Sequence, residues 1–346
     1  MLSSRTNRVG HCAFTLIELL VVIAIITLLV SILMPALRDG RRTAKLVLCQ
    51  NNMSQYGKIM VAYSTDFKDT LFSFTWRAGA RGITAPPAGM PTPANDTDAM
   101  ASQGVDIIHR NGIGNAAALP WNQNNWSPNM YYSHLVLQDY AAMKLPSPTA
   151  VCPEDKMRNI WWQDPDNVLS NGATVARQGY SSSYAWVPAL WTPDRRTPDG
   201  GFMENAVGTH MALTWSPGIQ NMYRLGGRKF SDIAAPGQKV AVHDEYVRHY
   251  GSKQFYFTHN AAITPALFFD GSQRMLRSIE TTLGGYRNIV GGANTRATIA
   301  YNVNDAVGQI PWADGSSPTQ PARFRWSLGG LKGVDTPSTS EPFRVP

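Results

Sequence analysis

The hydrophobic pattern changes character twice along the chain. From Phe14 to Leu33 the run FTLIELLVVIAIITLLVSIL holds 20 residues, and its polar members are Thr15, Glu18, Thr27 and Ser31. As a helix it is long enough to cross ~30 Å of hydrocarbon. Met34-Pro35 interrupts the run. From Leu46 the apolar positions become Leu46, Cys49, Met53, Tyr56, Met60, Tyr63 and Phe67. Their alternating steps of three and four draw a seam along one helix face. Lys45, Gln50, Asn52, Gln55 and Lys58 take the opposite face. This half of the helix is expected to lay one stripe onto its own C-terminal region.

Past residue 65 the helical period fades. Asp66 to Asp106 is rich in Gly, Pro, Ala and Thr, and Ala85 through Asp98 reads as loop. Ser127-Pro128 is expected to cap a short helix with body Met130 to Ala142. Short strands are expected at Tyr180–Val187, Lys239–His243, Gln254–Thr258, Ala266–Phe269 and Arg274–Leu276. Phe269-Asp270-Gly271-Ser272 marks a hairpin turn, with Asp-Gly supplying positive φ. Leu331 to Pro346 has three prolines and few apolar residues, and is expected to be loose.

Composition narrows the classes. At 346 residues the chain suits two domains or one large one. Hydrophobic residues at 43% exclude a disordered chain, and three cysteines exclude a disulfide-dense scaffold. The net charge of +7 is too thinly spread to announce a nucleic-acid binder. No repeat indicates a solenoid.

Glu18 is the anomaly of the N-terminal run. An ionisable group on a membrane helix costs several kcal/mol at mid-bilayer and signals a partner. Residues 1–13 carry Arg5 and Arg8 and no acid, which suits a secretory leader, but an acid inside the apolar region does not. A plain anchor needs no Glu18. A helix that meets other helices through Glu18 explains it.

Ala13-Phe14-Thr15-Leu16-Ile17-Glu18-Leu19-Leu20-Val21-Val22 resembles the processing and assembly motif of type IV prepilins and type II secretion pseudopilins. The resemblance implies that a prepilin peptidase cuts between Ala13 and Phe14 and methylates the new amine. Ala13 stands where that family usually has Gly. It also implies that proline near position 35 kinks the helix and lets it continue. Cutting creates a cation on Phe14 one turn from the Glu18 anion. In a staggered bundle the amine of one subunit can meet Glu18 of the next, setting registry in low dielectric. Arg38, Arg41, Arg42 and Lys45 after the run outnumber Arg5 and Arg8 before it. The positive-inside rule alone would therefore turn the C-terminal side inward. The motif is read on the cytoplasmic side and implies the reverse.

A second resemblance is to a pilin-like family abundant in planctomycetes and verrucomicrobia, carried by Cys49, Asn52, Gln55, Gly57 and Tyr63. Val151-Cys152-Pro153-Glu154-Asp155 is similar to a Cys-Pro element of that family. His259-Asn260 with Asp270-Gly271 resembles its C-terminal signature, which has nine residues between His and Asp-Gly. Here there are ten, Asn260 to Phe269, which predicts a bulge or longer loop.

Other chemistry is sparse. If Cys12 leaves with the leader, Cys49 and Cys152 remain in a compartment that permits disulfides. A bridge would tie the helix to the head, and a buried free thiol on the seam is the alternative. His243-Asp244-Glu245, His249, His259 and Asp270 are metal-ligand types, but no HExxH, paired CxxC or EF-hand spacing appears. Solvated strand ends are expected there, with no metal, cofactor or catalytic residue. Neither G-x-S-x-G nor a GKS/GKT loop is present, and Gly226-Gly227-Arg228-Lys229 is too short for a phosphate loop. Trp76, Trp121, Trp126, Trp161, Trp162, Trp186 and Trp191 suit core packing better than a sugar-binding row.

The expected architecture is α+β: a long N-terminal membrane-spanning helix packed on a mainly antiparallel β-sheet head. Its parts are a cleaved leader 1–13, a helix 14–64 (transmembrane over 14–33), a head 65–330 and a tail 331–346. The expected role is a non-enzymatic pilin-like subunit of the inner membrane, single-pass, with a periplasmic head and an extracellular position after assembly. Expected partners are the prepilin peptidase, other pilin or pseudopilin subunits and an inner-membrane assembly platform. The rivals are an anchored periplasmic carbohydrate-binding or hydrolytic domain, and a basic minor pilin that grips DNA.

Overall fold

The computed structural model describes residues 15–79, 87–112, 119, 121, 131–141, 143–164, 179–191, 194–196, 202–204, 226–250, 256–282, 287–290, 293–296, 298–300, 319–321, 323–327 and 330–336. Ala13, Phe14, Ser127-Pro128 and Trp126 lie outside them. The chain divides into two compact units, Met1–Ala44 and Lys45–Pro346.

Helix α1 runs from Leu16 to Asp66, 51 residues, straight through Pro35 in sequence. At 1.5 Å per residue it is ~75 Å long. In the first unit its apolar side chains are exposed, from Leu16 at 88% to Leu33 at 64%. Thr27 and Ser31 turn their hydroxyls back onto the carbonyls of Ile23, Ala24 and Leu28, so neither leaves a donor facing outward.

The second unit is built on the other half of α1. The expected seam is buried at Cys49, Met53, Tyr56, Met60 and Tyr63. Leu46 is half-buried, and Phe67 is exposed, stacked on Tyr63 at 4.4 Å. The expected polar face is also partly covered. Gln273 donates to the Gln50 carbonyl (2.5 Å), and Asn52 donates to the Val151 carbonyl (3.5 Å) and the Tyr184 hydroxyl (3.3 Å). Gly57 lets Leu267 of the sheet approach closely: a Cβ there would stand 2.7 Å from Leu267 Cδ2, so that side chain would have to shift.

The strands are β1 (Tyr184–Trp186), β2 (Asp194–Arg196), β3 (Phe202–Glu204), β4 (Val240–Asp244), β5 (Ile263–Phe268), β6 (Gln273–Arg277), β7 (Arg287–Val290), β8 (Ala293–Arg296), β9 (Thr298–Ala300) and β10 (Thr319–Pro321). The main sheet is antiparallel in the order β1-β4-β5-β6, and β2-β3, β7-β8 and β9-β10 form separate pairs. An α+β fold with an antiparallel sheet is therefore observed.

Alternation along β4 decides what faces α1. Val242 pairs with Trp186 and Leu267, both of which meet the helix, at Tyr56 and Gly57. Asp244, two residues on, shares that face. His243 takes the other face, between Phe257 (4.6 Å) and Phe324 (4.9 Å).

Strand β5 contains Pro265. Phe268 donates its amide toward β6, at Ser272, and Phe269 toward Lys239 beside β4. By alternation the Pro265 nitrogen faces the β4 side, where pairing has stopped at Ala266.

Several expectations need correction. Helix α2 (Asp96–Asn111) starts inside the stretch 85–98 read as loop and continues where no element was expected; Asn95 caps it by accepting from the Asp98 amide (2.9 Å). The expected helix around 130–142 is a 3-10 turn, Ser133–Leu137, running into the short α3, Gln138–Ala141. The expected strand at Gln254–Thr258 shows, among the described residues, an isolated bridge from Tyr256 to Tyr246. In the hairpin turn positive φ falls on Gly271 (+83°), with Gly271 donating to the Phe268 carbonyl at 3.0 Å. The segment between His259 and Asp270 holds an unbroken β5, and the register shift sits opposite, between Val240 and Val242. The tail begins anchored: Leu331 is buried, and Asp335 accepts from the Val240 amide (2.9 Å) and pairs with Lys239 (3.5 Å). Trp161, Trp186 and Trp191 are buried in packing.

Candidate functional site

Two places carry chemistry. The first is the start of α1. Glu18 Oε2 accepts from the Thr15 amide and the Thr15 hydroxyl, each at 2.8 Å, and Thr15 Oγ1 accepts from the Glu18 amide at 3.3 Å. The carboxylate thus satisfies donors that a helix N-terminus leaves orphaned. It is held at the end of an exposed apolar rod, four residues, or one helical turn, after the predicted new N-terminus at Phe14. Ala13 and Phe14 themselves lie outside the described residues.

The second place is buried in the other unit. Sequence placed Asp244 and His249 at solvated strand ends; instead Asp244 is fully buried and His249 is 7% exposed. They meet Cys49 of α1 and Cys152 of the Cys-Pro segment. Ligand-type atoms of all four lie within 4.8 Å of one another. The Sγ atoms of Cys49 and Cys152 stand 2.6 Å apart, and His249 Nε2 stands 3.1 Å from Cys49 Sγ and 3.2 Å from Cys152 Sγ. Asp244 Oδ2 is buried without a hydrogen-bond partner.

Asp155 organises the surroundings. It caps helix α4 (Lys156–Gln163), and its amide donates to the Cys152 carbonyl at 2.8 Å. Its Oδ2 accepts from Arg158 (2.9 Å), Arg248 (2.8 Å) and Ser183 (2.7 Å). Arg248 reaches on to Asp244 Oδ1, so one guanidinium spans two buried acids. Buried pairs of this kind fix geometry more than they add stability.

The electrostatics follow from burial. Burial pushes Asp244 up to about 6 against the pull of Arg248. Burial also raises Asp155, but Arg248, Arg158 and the Ser183 hydrogen bond outweigh it and hold the group well below the usual carboxylate range. Burial, with Cys49 and Asp244 adding, lifts the Cys152 thiol. Burial and then Arg248 lower His249 to about 4. At neutral pH His249 is therefore an uncharged imidazole, able to offer a lone pair.

The remaining candidates stand apart from this cluster. His243 and Glu245 belong to a network in which Arg325 donates to Tyr256 (2.7 Å), Tyr256 donates to Glu245 (2.9 Å) and Arg325 pairs with Glu245 (3.5 Å). His259 Nδ1 accepts from the Ala261 amide (3.1 Å) in a turn, and Asp270 Oδ1 accepts from the Ser272 amide (2.9 Å) in the hairpin. Both have structural duties there.

Comparison with known proteins bears on the first place. A family model described as the prokaryotic N-terminal methylation motif matches residues 9–34. No curated protein and no solved structure matches the chain. The match supports a type IV pilin-like protein, made as a precursor of the kind that a prepilin peptidase processes. Among the described residues α1 is the helix long and apolar enough to cross a membrane, which is consistent with membrane anchoring.

Proposed function

We propose that this protein is a structural subunit of a type IV pilus-like or type II secretion pseudopilus filament. The chain inserts through the apolar part of α1, is cut before Phe14, is methylated there and is drawn into a fibre. Its partners are the peptidase, further pilin or pseudopilin subunits and an inner-membrane platform, and its head faces the periplasm or the exterior. It performs no catalysis of its own.

The observation that carries this reading is Glu18, an acid on an exposed apolar rod inside a prepilin-type motif. In the free chain its carboxylate sits on Thr15. In a fibre the methylated amine of the next subunit would compete for it, and a low dielectric would sharpen that preference. Four head cations, Arg158, Arg248, Arg325 and Lys239, are buried and paired inward, so these four are not presented to DNA.

Glu18→Ala tests the role. The variant is expected to insert and be cut as wild type does, and to be lost from the sedimentable fibre fraction. Undiminished assembly of Glu18→Ala would remove the registry role.

A further inference from the structure

We propose that Cys49, Cys152, His249 and Asp244 form a binding site for one thiophilic divalent cation, zinc by preference. The inference stands apart from filament assembly.

The four donors come from separate parts of the head unit: the α1 seam, the Cys-Pro segment, the end of β4 and the loop after it. Their convergence within 4.8 Å is built by the fold, because the β4 register turns Asp244 to the helix side and Asp155 pins both Cys152 and Arg248. Two sulfurs, an imidazole nitrogen and a carboxylate oxygen make a four-coordinate set suited to zinc. Sulfur excludes magnesium and calcium, which prefer oxygen.

Two atoms are placed to act as ligands beside the sulfurs. Asp244 Oδ2 is fully buried and partnerless. His249 Nε2 faces both sulfurs at nearly equal distances, 3.1 and 3.2 Å. A bridge between the cysteines would use neither group. Around zinc the sulfurs would have to part from 2.6 Å to about 3.7 Å, given zinc–sulfur bonds of about 2.3 Å and tetrahedral angles. Each sulfur then moves by roughly half an ångström.

Charge selects the valence. Two thiolates and the Asp244 carboxylate carry three negative charges, a divalent cation leaves one, and Arg248 on Asp244 Oδ1 neutralises it. Arg158 offsets Asp155 in turn, and Arg248 is the outer partner that orients a ligating carboxylate. Binding releases the protons of both thiols, and no oxidant or reductant takes part.

The test uses the full chain purified in detergent without added oxidant, exposed to zinc and then freed of excess. One zinc per chain by elemental analysis is expected, with both thiols protected from alkylation until a chelator is added. Asp244→Asn is expected to hold zinc at least tenfold more weakly while retaining the wild-type circular dichroism spectrum, with a lower melting temperature because Arg248 loses a buried partner. Cobalt alone should give a thiolate charge-transfer band that Cys152→Ser weakens and the Cys49→Ser/Cys152→Ser double variant abolishes. A chain that takes up no zinc overturns the proposal, whether its mass shows a Cys49–Cys152 disulfide or two free thiols. So does equal zinc binding by wild type and the folded Asp244→Asn variant.

Discussion

The two parts of helix α1 share one backbone and face different partners. Up to Ala44 its large apolar side chains stand exposed, and the polar atoms of Thr15, Thr27 and Ser31 are turned back onto the helix itself. From Lys45 a seam of apolar residues is buried under Trp186, Leu267 and Phe72, while Val47, Leu48 and Val61 remain exposed off that seam. An all-round apolar surface asks for lipid or for other subunits, and a stripe asks for its own head. Substitutions in the two parts should therefore separate assembly from stability.

The largest expected effect is Tyr56→Ala. Tyr56 is 2% exposed and meets Trp186 and His134 edge-on. Its truncation should cost the head about 3–5 kcal/mol in denaturant unfolding. Ile26→Ala, in the exposed part, should leave that midpoint unchanged. An equal loss from both would break the division.

A smaller loss is expected from Gly57→Val. The added side chain drives into Leu267, itself 1% exposed, and overpacking of this kind costs about 1–3 kcal/mol. A neutral result would show that the helix can lift from the sheet freely.

The smallest effect depends on pH. Burial, then the charge of Arg158, lowers His134 to about 3 from an ordinary 6.5. The unfolded chain thus takes up the proton first, and stability falls as pH drops below 6.5. The loss should be about 1 kcal/mol between pH 6.5 and 5.5. Asp244, raised by burial to about 6, acts with the opposite sign and cancels when His134→Gln is subtracted from wild type. A subtracted slope of zero would mean that His134 is not buried neutral.

The seam, the apolar run and the Asp-Gly turn were legible in the sequence because each has a local period or a fixed backbone demand. Helix α2 was not, since short polar and small residues in its first turns mask the buried Met100, Val105 and Ile108. Asn95 three residues before Asp98 was the signal that could have found it. In the buried cluster the Cys49–Cys152 pair was raised as one alternative in the sequence, and its meeting with Asp244 and His249 was not legible. Cys49 and Cys152 lie 103 positions apart, and no spacing rule reaches that far. Asp244 and His249 read as surface because charged residues are rarely buried alone, and only the structure shows Arg248 placed beside Asp244. Asp335 was misread because its partner Lys239 is remote in sequence.

The N-terminal mass of the protein extracted from envelopes of cells with an active prepilin peptidase tests the central claim most directly. The account predicts a chain that begins at Phe14 and is one methyl group heavier than the bare product of cutting. A chain that still begins at Met1 in those cells would contradict it.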